Sequence, residues 1–276
     1  MQDLNGKTAV VTGAGSGIGR AIAHALAKAG MNVVVADLNA DTAATVAAEV
    51  EALGTQALAV QANVADHGSV AAMADAAYGR FGSVEVLVNN AGVSWRPLRP
   101  LTDATLADWK FMFDVNVWGV INGLDVFLPR MKAQPGEKHI VNTASMAGVW
   151  PVKGHTPYSA SKYAVVGISE GIVNDIGDEG FGCTVLCPAM VRTNVVANSE
   201  SQRPAGEKGE GRVFKEMVDE RMKKLVDEYI DAAAVGEMVR DAIQRNQLYL
   251  HTHAIAPEDI AARTDLVYGP ASYGRA

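Results

Sequence analysis

The stretch "KTAVVTGAGSGIGRAIAHALAKAG", residues 7–30, sets an apolar β-branched run ahead of a glycine-rich turn and an alanine-rich helical pattern. KTAVVT has the composition of a strand buried on both faces. Glycines at 13, 15, 17 and 19 then let the backbone approach a ligand closely. The helix predicted over Gly17–Lys28 presents its N-terminal N–H groups to an anion. A strand that turns through glycines into a helix is how doubly wound α/β folds hold the pyrophosphate of a dinucleotide. The spacing, Gly-x-Gly-x-Gly-x-Gly, departs from the G-x-G-x-x-G form, so the strand–turn–helix context carries the reading. A glycine-rich turn with no ligand is the competing one.

Outward from this unit the alternation repeats. NVVVAD (32–37), QALAVQ (56–61), VEVLVNN (84–90), HIVNTAS (139–145) and CTVLCP (183–188) read as strands, and LYLHTH (248–253) as a further one. Helical patterns fall over 41–53, His67–Phe81, 105–131 and 158–178. The expected fold is one α/β domain over residues 1–276, a doubly wound parallel sheet (Rossmann fold) with helices on both faces. After Pro188 the pattern loosens. Residues 188–232, with the polar NSESQRPAGEKGEG (198–211) and a helical stretch over 212–229, are expected to form a substrate-binding loop and lid.

The chain has 276 residues, 49% apolar and 20% charged, which suits a folded globular protein and neither disorder nor a fibre. A net charge of −7 without basic clustering argues against nucleic acid. With no leader pattern, and no uninterrupted apolar run of membrane-spanning length, no membrane association is expected and a cytoplasmic location is. Cys183 and Cys187 point to one face of a strand and stand roughly 13 Å apart, which suits buried thiols and not a disulfide.

Asp37 closes the second strand 18 residues after Gly19, near the position of the acid that bonds a ribose 2′-OH. A carboxylate there repels a 2′-phosphate, and neither Ser16 nor Leu38 offers a cation to neutralise one. NAD(H) is therefore expected over NADP(H). Asp37 as a helix cap is the alternative, with Asn39 better placed for that work.

The chemistry rests on HTPYSASKYAVVG (155–167), where Tyr158 and Lys162 stand four residues apart on one helix face. Pro157 suits the first turn of that helix. A phenol with a pKa near 10 is a poor base at neutral pH, and a nearby ammonium stabilises its phenolate. Tyr158 then becomes a general acid/base for an alcohol proton. Ser145, 13 residues earlier at a strand end, is placed to hold the substrate oxygen. Asn116 is polar within an apolar helix, where an amide needs a partner. Tyr-x-x-x-Lys alone is a weak signal, and each residue has a plain structural alternative: a turn cap for Ser145, a core amide for Asn116, a surface charge for Lys162.

Together, Thr12-Gly13-x-x-x-Gly17-Ile18-Gly19, NNAG at 89–92 and Tyr158-x-x-x-Lys162 resemble the short-chain dehydrogenase/reductase family over about residues 4–193. The resemblance implies that Gly13, Ser16, Gly17, Ile18, Gly19, Asp37 and Leu38 bind the cofactor. It adds Asn63 and Val64 flanking the adenine, and Asn90, Ala91 and Gly92 bracing the sheet beside it. It gives both Tyr158 and Lys162 contact with the cofactor, Lys162 at the nicotinamide ribose, and Asn116 a water-mediated proton relay to Lys162. It places Pro188, Val191 and Thr193 of CPAMVRTN at the carboxamide, and implies a homodimer or homotetramer. Asn63 stands where the family has Asp, and Ala189 where it has Gly. The segment VNVWGVINGLDVFLPRM (115–131) is similar to a branch acting on benzylic alcohols of lignin-type aryl ethers.

Substrate contacts are expected in 94–101, 147–155 and 190–222. In and next to these, Trp95, Met146, Val149, Trp150, Met190 and Phe214 form an apolar, partly aromatic set, and Ser94, Ala147 and His155 complete the expected substrate residues beside Ser145. They suit a hydrophobic or aromatic secondary alcohol or its ketone, and they equally suit packing of the lid. Other readings are an NADP(H)-dependent carbonyl reductase, an epimerase or dehydratase, and an NAD-binding protein without turnover. His251 and His253 lack partners at ligand spacing, so no metal is expected. Ser145 has no G-x-S-x-G elbow, so a hydrolase is not expected either.

Overall fold

The computed structural model describes residues 1–94, 98, 100–203 and 228–269. Seven strands form one sheet: β1 (Thr8–Thr12), β2 (Asn32–Asp37), β3 (Ala57–Gln61), β4 (Val86–Asn89), β5 (Lys138–Thr143), β6 (Phe181–Cys187) and β9 (Tyr249–His251). Their order is β3-β2-β1-β4-β5-β6-β9, and every neighbouring pair is parallel. The chain winds outward from β1 in one direction and restarts at β4 in the other. The crevice this leaves at the carboxyl ends of β1 and β4 is where such sheets bind ligands. β7 (Val191–Arg192) and β8 (Ile230–Asp231) pair separately.

Alternate strand residues serve opposite faces, which is why the strands read as continuous apolar runs. Ala9, Val11, Val33 and Val35 meet Ile22 and Leu26 of α1 (Gly17–Lys28), Val46 and Val50 of α2 (Ala40–Glu51), and Val239 and Ile243 of α8 (Ala232–Arg245). Val10, Val34, Leu87 and Ile140 meet Met73 of α3 (His67–Phe81), Phe127 of α5 (Gly119–Ala133) and Ile172 of α6 (Thr156–Ile176). The expected last strand exists as β9. The stretch 212–229 lies almost wholly outside the described residues; α7 (Val195–Ser201) precedes it and α9 (Pro257–Tyr268) follows α8 and β9.

The single helix expected over 105–131 is instead three consecutive pieces. Thr105 caps α4 (Leu106–Phe113): its hydroxyl accepts the Asp108 N–H at 3.1 Å, while Asp108 accepts the Thr105 N–H at 2.9 Å. A wide π-turn, Asp114–Trp118, then leads into α5. The wide turn carries Asn116, whose buried amide is drawn onto the backbone of Val93. Joined in this way, Leu106–Ala133 is long and apolar enough by length and composition to cross a membrane. Its Met112, Val120, Phe127 and Met131 are instead packed in the protein core.

Cys183 and Cys187 are buried free thiols, each pushed up to about 12 by burial. His139, buried in β5, is held down at about 3 by the same cause. Thr184 Oγ1 donates to Gln247 O at 2.7 Å, so His139 Nε2 donates to Thr184 Oγ1 at 2.9 Å. An unfolded imidazole titrates near 6.5, so between that pH and about 3 the unfolded chain binds the extra proton. His139's share of stability is therefore intact above pH 6.5 and declines below it, at up to about 1.4 kcal/mol per pH unit. Replacing His139 with Gln should flatten the acid limb of a stability–pH curve measured by urea unfolding. An unchanged acid limb would remove His139 from that dependence.

Candidate active site

The glycine turn is shaped by contacts that leave no room for side chains. Gly13 and Gly17 hold left-handed φ values of 63° and 54°, which suit glycine. A Cβ at Gly13 would lie 2.8 Å from Ala91 Cα, and one at Gly19 would lie 2.2 Å from Gly13 O. The neighbouring NNAG turn is bolted to it: Asn90 Nδ2 donates to Thr12 O at 2.9 Å, and Thr12 Oγ1 accepts the N–H groups of Asn90 and Ala91 at 3.0 and 3.1 Å. Gly15 N–H donates to Asp37 Oδ2 at 2.9 Å, so the carboxylate at the end of β2 is fixed against the turn. Asn39, not Asp37, caps α2, accepting the N–H groups of Asp41 and Thr42.

A cleft opens between these turns. It is lined by Gly13, Ser16, Gly17, Ile18, Gly19, Asp37, Leu38, Asn63, Val64, Asn90, Ala91, Gly92 and Thr193, all expected cofactor positions. Its small-residue floor, the α1 N-terminus and a carboxylate at one end fit a dinucleotide. Asn63 Oδ1 already accepts the Ala65 N–H at 3.1 Å. Pro188 and Val191 lie off this cleft. Pro188 O takes the Met146 N–H at 2.9 Å, and Val191 pairs with Ile230 in β7 and β8.

At Gly92 the cleft meets Lys162. A Cβ built on Gly92 would stand 3.4 Å from Lys162 Nζ and 3.1 Å from Asn116 Oδ1. Lys162 is buried; its ammonium donates to Thr143 O at 2.8 Å and stands 5.7 Å from the centre of the Tyr158 ring. Burial lowers its pKa to about 8, with Cys187 opposing weakly. It is therefore no solvated surface charge. His155 stacks on Tyr158 with ring centres 4.6 Å apart. Ser145 follows β5; its hydroxyl accepts the Ala147 N–H at 3.1 Å and donates to Pro188 O at 3.4 Å. The turn it caps, Met146–Gly148, packs on α6 so tightly that a Cβ on Gly148 would lie 2.7 Å from Lys162 O.

Asn116 turns out to be a satisfied core amide. Its oxygen accepts the Val93 N–H at 2.8 Å, and its nitrogen donates to Val93 O and Ser161 Oγ, both at 3.0 Å. Of the expected substrate residues, Ser94 and Ala147 are buried, and Met146, Trp150 and Met190 are half-buried. Trp95 and Phe214 lie outside the described residues. His251 Nδ1 touches Met146 Sδ at 3.3 Å, and His253 Nε2 donates to Glu228 O at 2.7 Å. Sequence reasoning missed Val195, Asn198 and Gln202, which also line the cleft. Their i, i+3, i+7 spacing was the available signal, hidden because 198–211 read as a polar loop. It also missed the buried ion pair of Arg203 with Asp108, at 2.8 Å.

A family model described as short chain dehydrogenase matches residues 7–204. The chain is a member of the short-chain dehydrogenase family. Among solved structures, this dehydrogenase is similar to a short chain dehydrogenase/reductase from Burkholderia phymatum in complex with NAD. That likeness has a TM-score of 0.85 and 36% identity, covering 100% of this chain and 98% of the other. A 1-deoxy-11-beta-hydroxypentalenate dehydrogenase of Streptomyces exfoliatus is 36% identical over 203 residues, 74% of each chain. A C alpha-dehydrogenase of Sphingobium sp. is 31% identical over 251 residues, 91% of this chain and 81% of that one. This short-chain dehydrogenase is an oxidoreductase acting on CH–OH groups.

Proposed function

We propose that this dehydrogenase interconverts a hydrophobic or aromatic secondary alcohol and its ketone with NAD(H), using Tyr158 as general acid/base. The observation that carries the reading is the ammonium of Lys162, buried beside the Tyr158 ring and bonded to Thr143 O. A buried cation favours an anion next to it, and the neighbouring phenol is the group able to become one. A dinucleotide held by the glycine turn and Asp37 would supply the hydride acceptor for the carbinol hydrogen, or the hydride donor for the ketone. Tyr158 as phenolate takes the alcohol O–H proton, and as phenol returns it in reduction. With substrate bound, the Ser145 hydroxyl would turn from Pro188 O to donate its hydrogen bond to the substrate oxygen. Asn116 holds the wide turn and Val93 beside Lys162 through its side-chain amide, and its place next to Lys162 supports the relay through water that the family resemblance implies.

An apolar substrate is supported by the half-buried Met146, Val149 and Trp150 and by relatives named for a hydroxypentalenate and a C alpha position. Of the expected cover over 188–232, the described parts, 188–203 and 228–232, are proposed to border the substrate within a single domain, and 204–227 lie outside the described residues. Exposed Leu106 and Trp118 on the α4–α5 flank support a homodimer or homotetramer. A panel of aliphatic and aromatic secondary alcohols, followed by NADH absorbance, tests the function. Turnover of the aromatic or bulky apolar members is expected. Cofactor binding with turnover of none would favour an NAD-binding protein without chemistry.

The Asp37 carboxylate, fixed against the glycine turn with exposed Leu38 beside it, favours NAD over NADP. Asp37→Ser combined with Leu38→Arg should shift the ratio of kcat/KM for NADP⁺ over NAD⁺ upward by about 100-fold, since charge-assisted hydrogen bonds are lost to one cofactor and created for the other. An unmoved ratio would take Asp37 off the ribose.

A further inference from the structure

One short helix touches both halves of the site. Val195, Asn198 and Gln202 form a face of α7 and the residue after it that walls the dinucleotide cleft opposite the glycine turn. Across the cleft, Asn198 Nδ2 donates to Ser16 Oγ at 3.2 Å. Ser16 is the N-cap of α1, yet its hydroxyl makes no capping bond and is left to face the cleft. On the other side of α7, Ser199 is buried and not part of the cleft wall; its hydroxyl accepts the Ser94 N–H at 2.8 Å and donates to Val195 O at 2.6 Å. Ser94 opens the expected substrate loop. It follows Val93, whose backbone is held by Asn116, and Asn116 in turn bonds Ser161 next to Lys162. Hydrogen bonds joined by two short steps along the backbone, Asn198 to Ser199 and Ser94 to Val93, thus run from the glycine turn through α7 to the helix that carries Tyr158. The end of α7 is pinned by Arg203, whose side chain is 3% exposed and pairs with Asp108 at 6%.

We infer that α7 is a strap tying the cofactor cleft to the substrate loop, with Asn198 and Ser199 as positioning residues that set how long the dinucleotide stays. The inference rests on the proposed reading of the cleft as the NAD(H) site. A dinucleotide lying between α7 and the glycine turn leaves only when the Asn198–Ser16 bond opens. Because Ser199 sits on the same helix, its bond to Ser94 resists that opening from the substrate side. Whatever steadies the loop at Ser94 then slows cofactor release, and a bound cofactor steadies the loop by the same factor.

The test is the NADH dissociation rate, measured by stopped-flow fluorescence on displacement by excess NAD⁺, with NADPH run in parallel. Asn198→Ala and Ser199→Ala are each expected to release NADH about fivefold faster, the factor that one net hydrogen bond supplies. Ser199→Thr, which keeps a hydroxyl, is expected to stay within roughly twofold of the unaltered chain. Asn198 is exposed, so its variant removes the bond without opening the core. If Ser199→Ala does not fold, Ser199→Cys supplies a weak acceptor of similar size, with the same acceleration expected. Unchanged release in both variants would overturn the strap. Faster release in Asn198→Ala alone would overturn its tie to the substrate loop. Binding of neither NADH nor NADPH to the unaltered chain would overturn the cofactor site, and the strap with it.

Discussion

Tyr158→Phe is expected to lower kcat/KM by about 10³-fold, within the range that a positioned general acid/base contributes. The substitution keeps the ring, so the stack on His155 and the approach of Lys162 are retained and only the hydroxyl is lost. Tyr158 does not line the dinucleotide cleft, so NADH binding should remain within about twofold of the unaltered chain, the loss of a single outlying contact at most. Steady-state kinetics alongside NADH fluorescence titration separate the two effects. Undiminished turnover would remove Tyr158 from the chemistry, and lost NADH binding would mean that the phenol serves the cofactor instead. In this structure the Ser145 hydroxyl donates to Pro188 O and accepts the Ala147 N–H, the pattern of a neutral hydroxyl and not of a base.

Lys162→Met is expected to abolish most turnover while leaving the protein at least as stable at pH 7. Burial brings the ammonium from 10.5 down to about 8. That difference corresponds to about 3 kcal/mol against folding while both states are charged. Met fills a similar volume and carries no charge, but it leaves Thr143 O without its donor, which costs about 1–3 kcal/mol. The balance runs from no change to a gain of about 2 kcal/mol.

The pH dependence gives this account a signature. Because the folded value is depressed, the full penalty is present below about 8. Between there and 10.5 the folded chain releases a proton that the unfolded chain keeps, so stability rises with pH. The unaltered chain should show that rise in urea unfolding and the variant should lack it. A variant destabilised by more than about 2 kcal/mol at pH 7 would show that Lys162 holds the fold together rather than straining it. On the proposed reading this residue trades stability for activity, as strained functional positions commonly do.

Much of this was legible in the chain. β-branched runs of five or six residues, helical stretches of a dozen or more and glycines between them are local patterns set by sterics, so the strands of the main sheet and the helices up to residue 178 fell within a few residues of expectation, whereas α7, α8 and α9 were not anticipated. Positions in the glycine turn were legible too, because only glycine tolerates their φ values and close contacts. Where partners are distant, sequence was silent. The π-turn at Asp114–Trp118 carries Asn116, whose partner Val93 is 23 residues away. The place of α7 depends on Ser16 and Ser94, 182 and 105 residues from their partners, and no local propensity encodes such a pairing.

By itself, then, the order of residues determined a doubly wound sheet, a dinucleotide turn with an acidic partner at Asp37, and a tyrosine and lysine sharing one helix face. These follow from periods of 2 and 3.6 and from the backbone freedom of glycine. Only the tertiary structure decided that Lys162 is buried against Thr143 O and not solvated. It likewise decided that Asn116 is a core amide and that a helix hidden in a polar stretch walls the cleft. Each of these depends on desolvation and on contacts between segments far apart in the chain, which exist only once the sheet has brought them together.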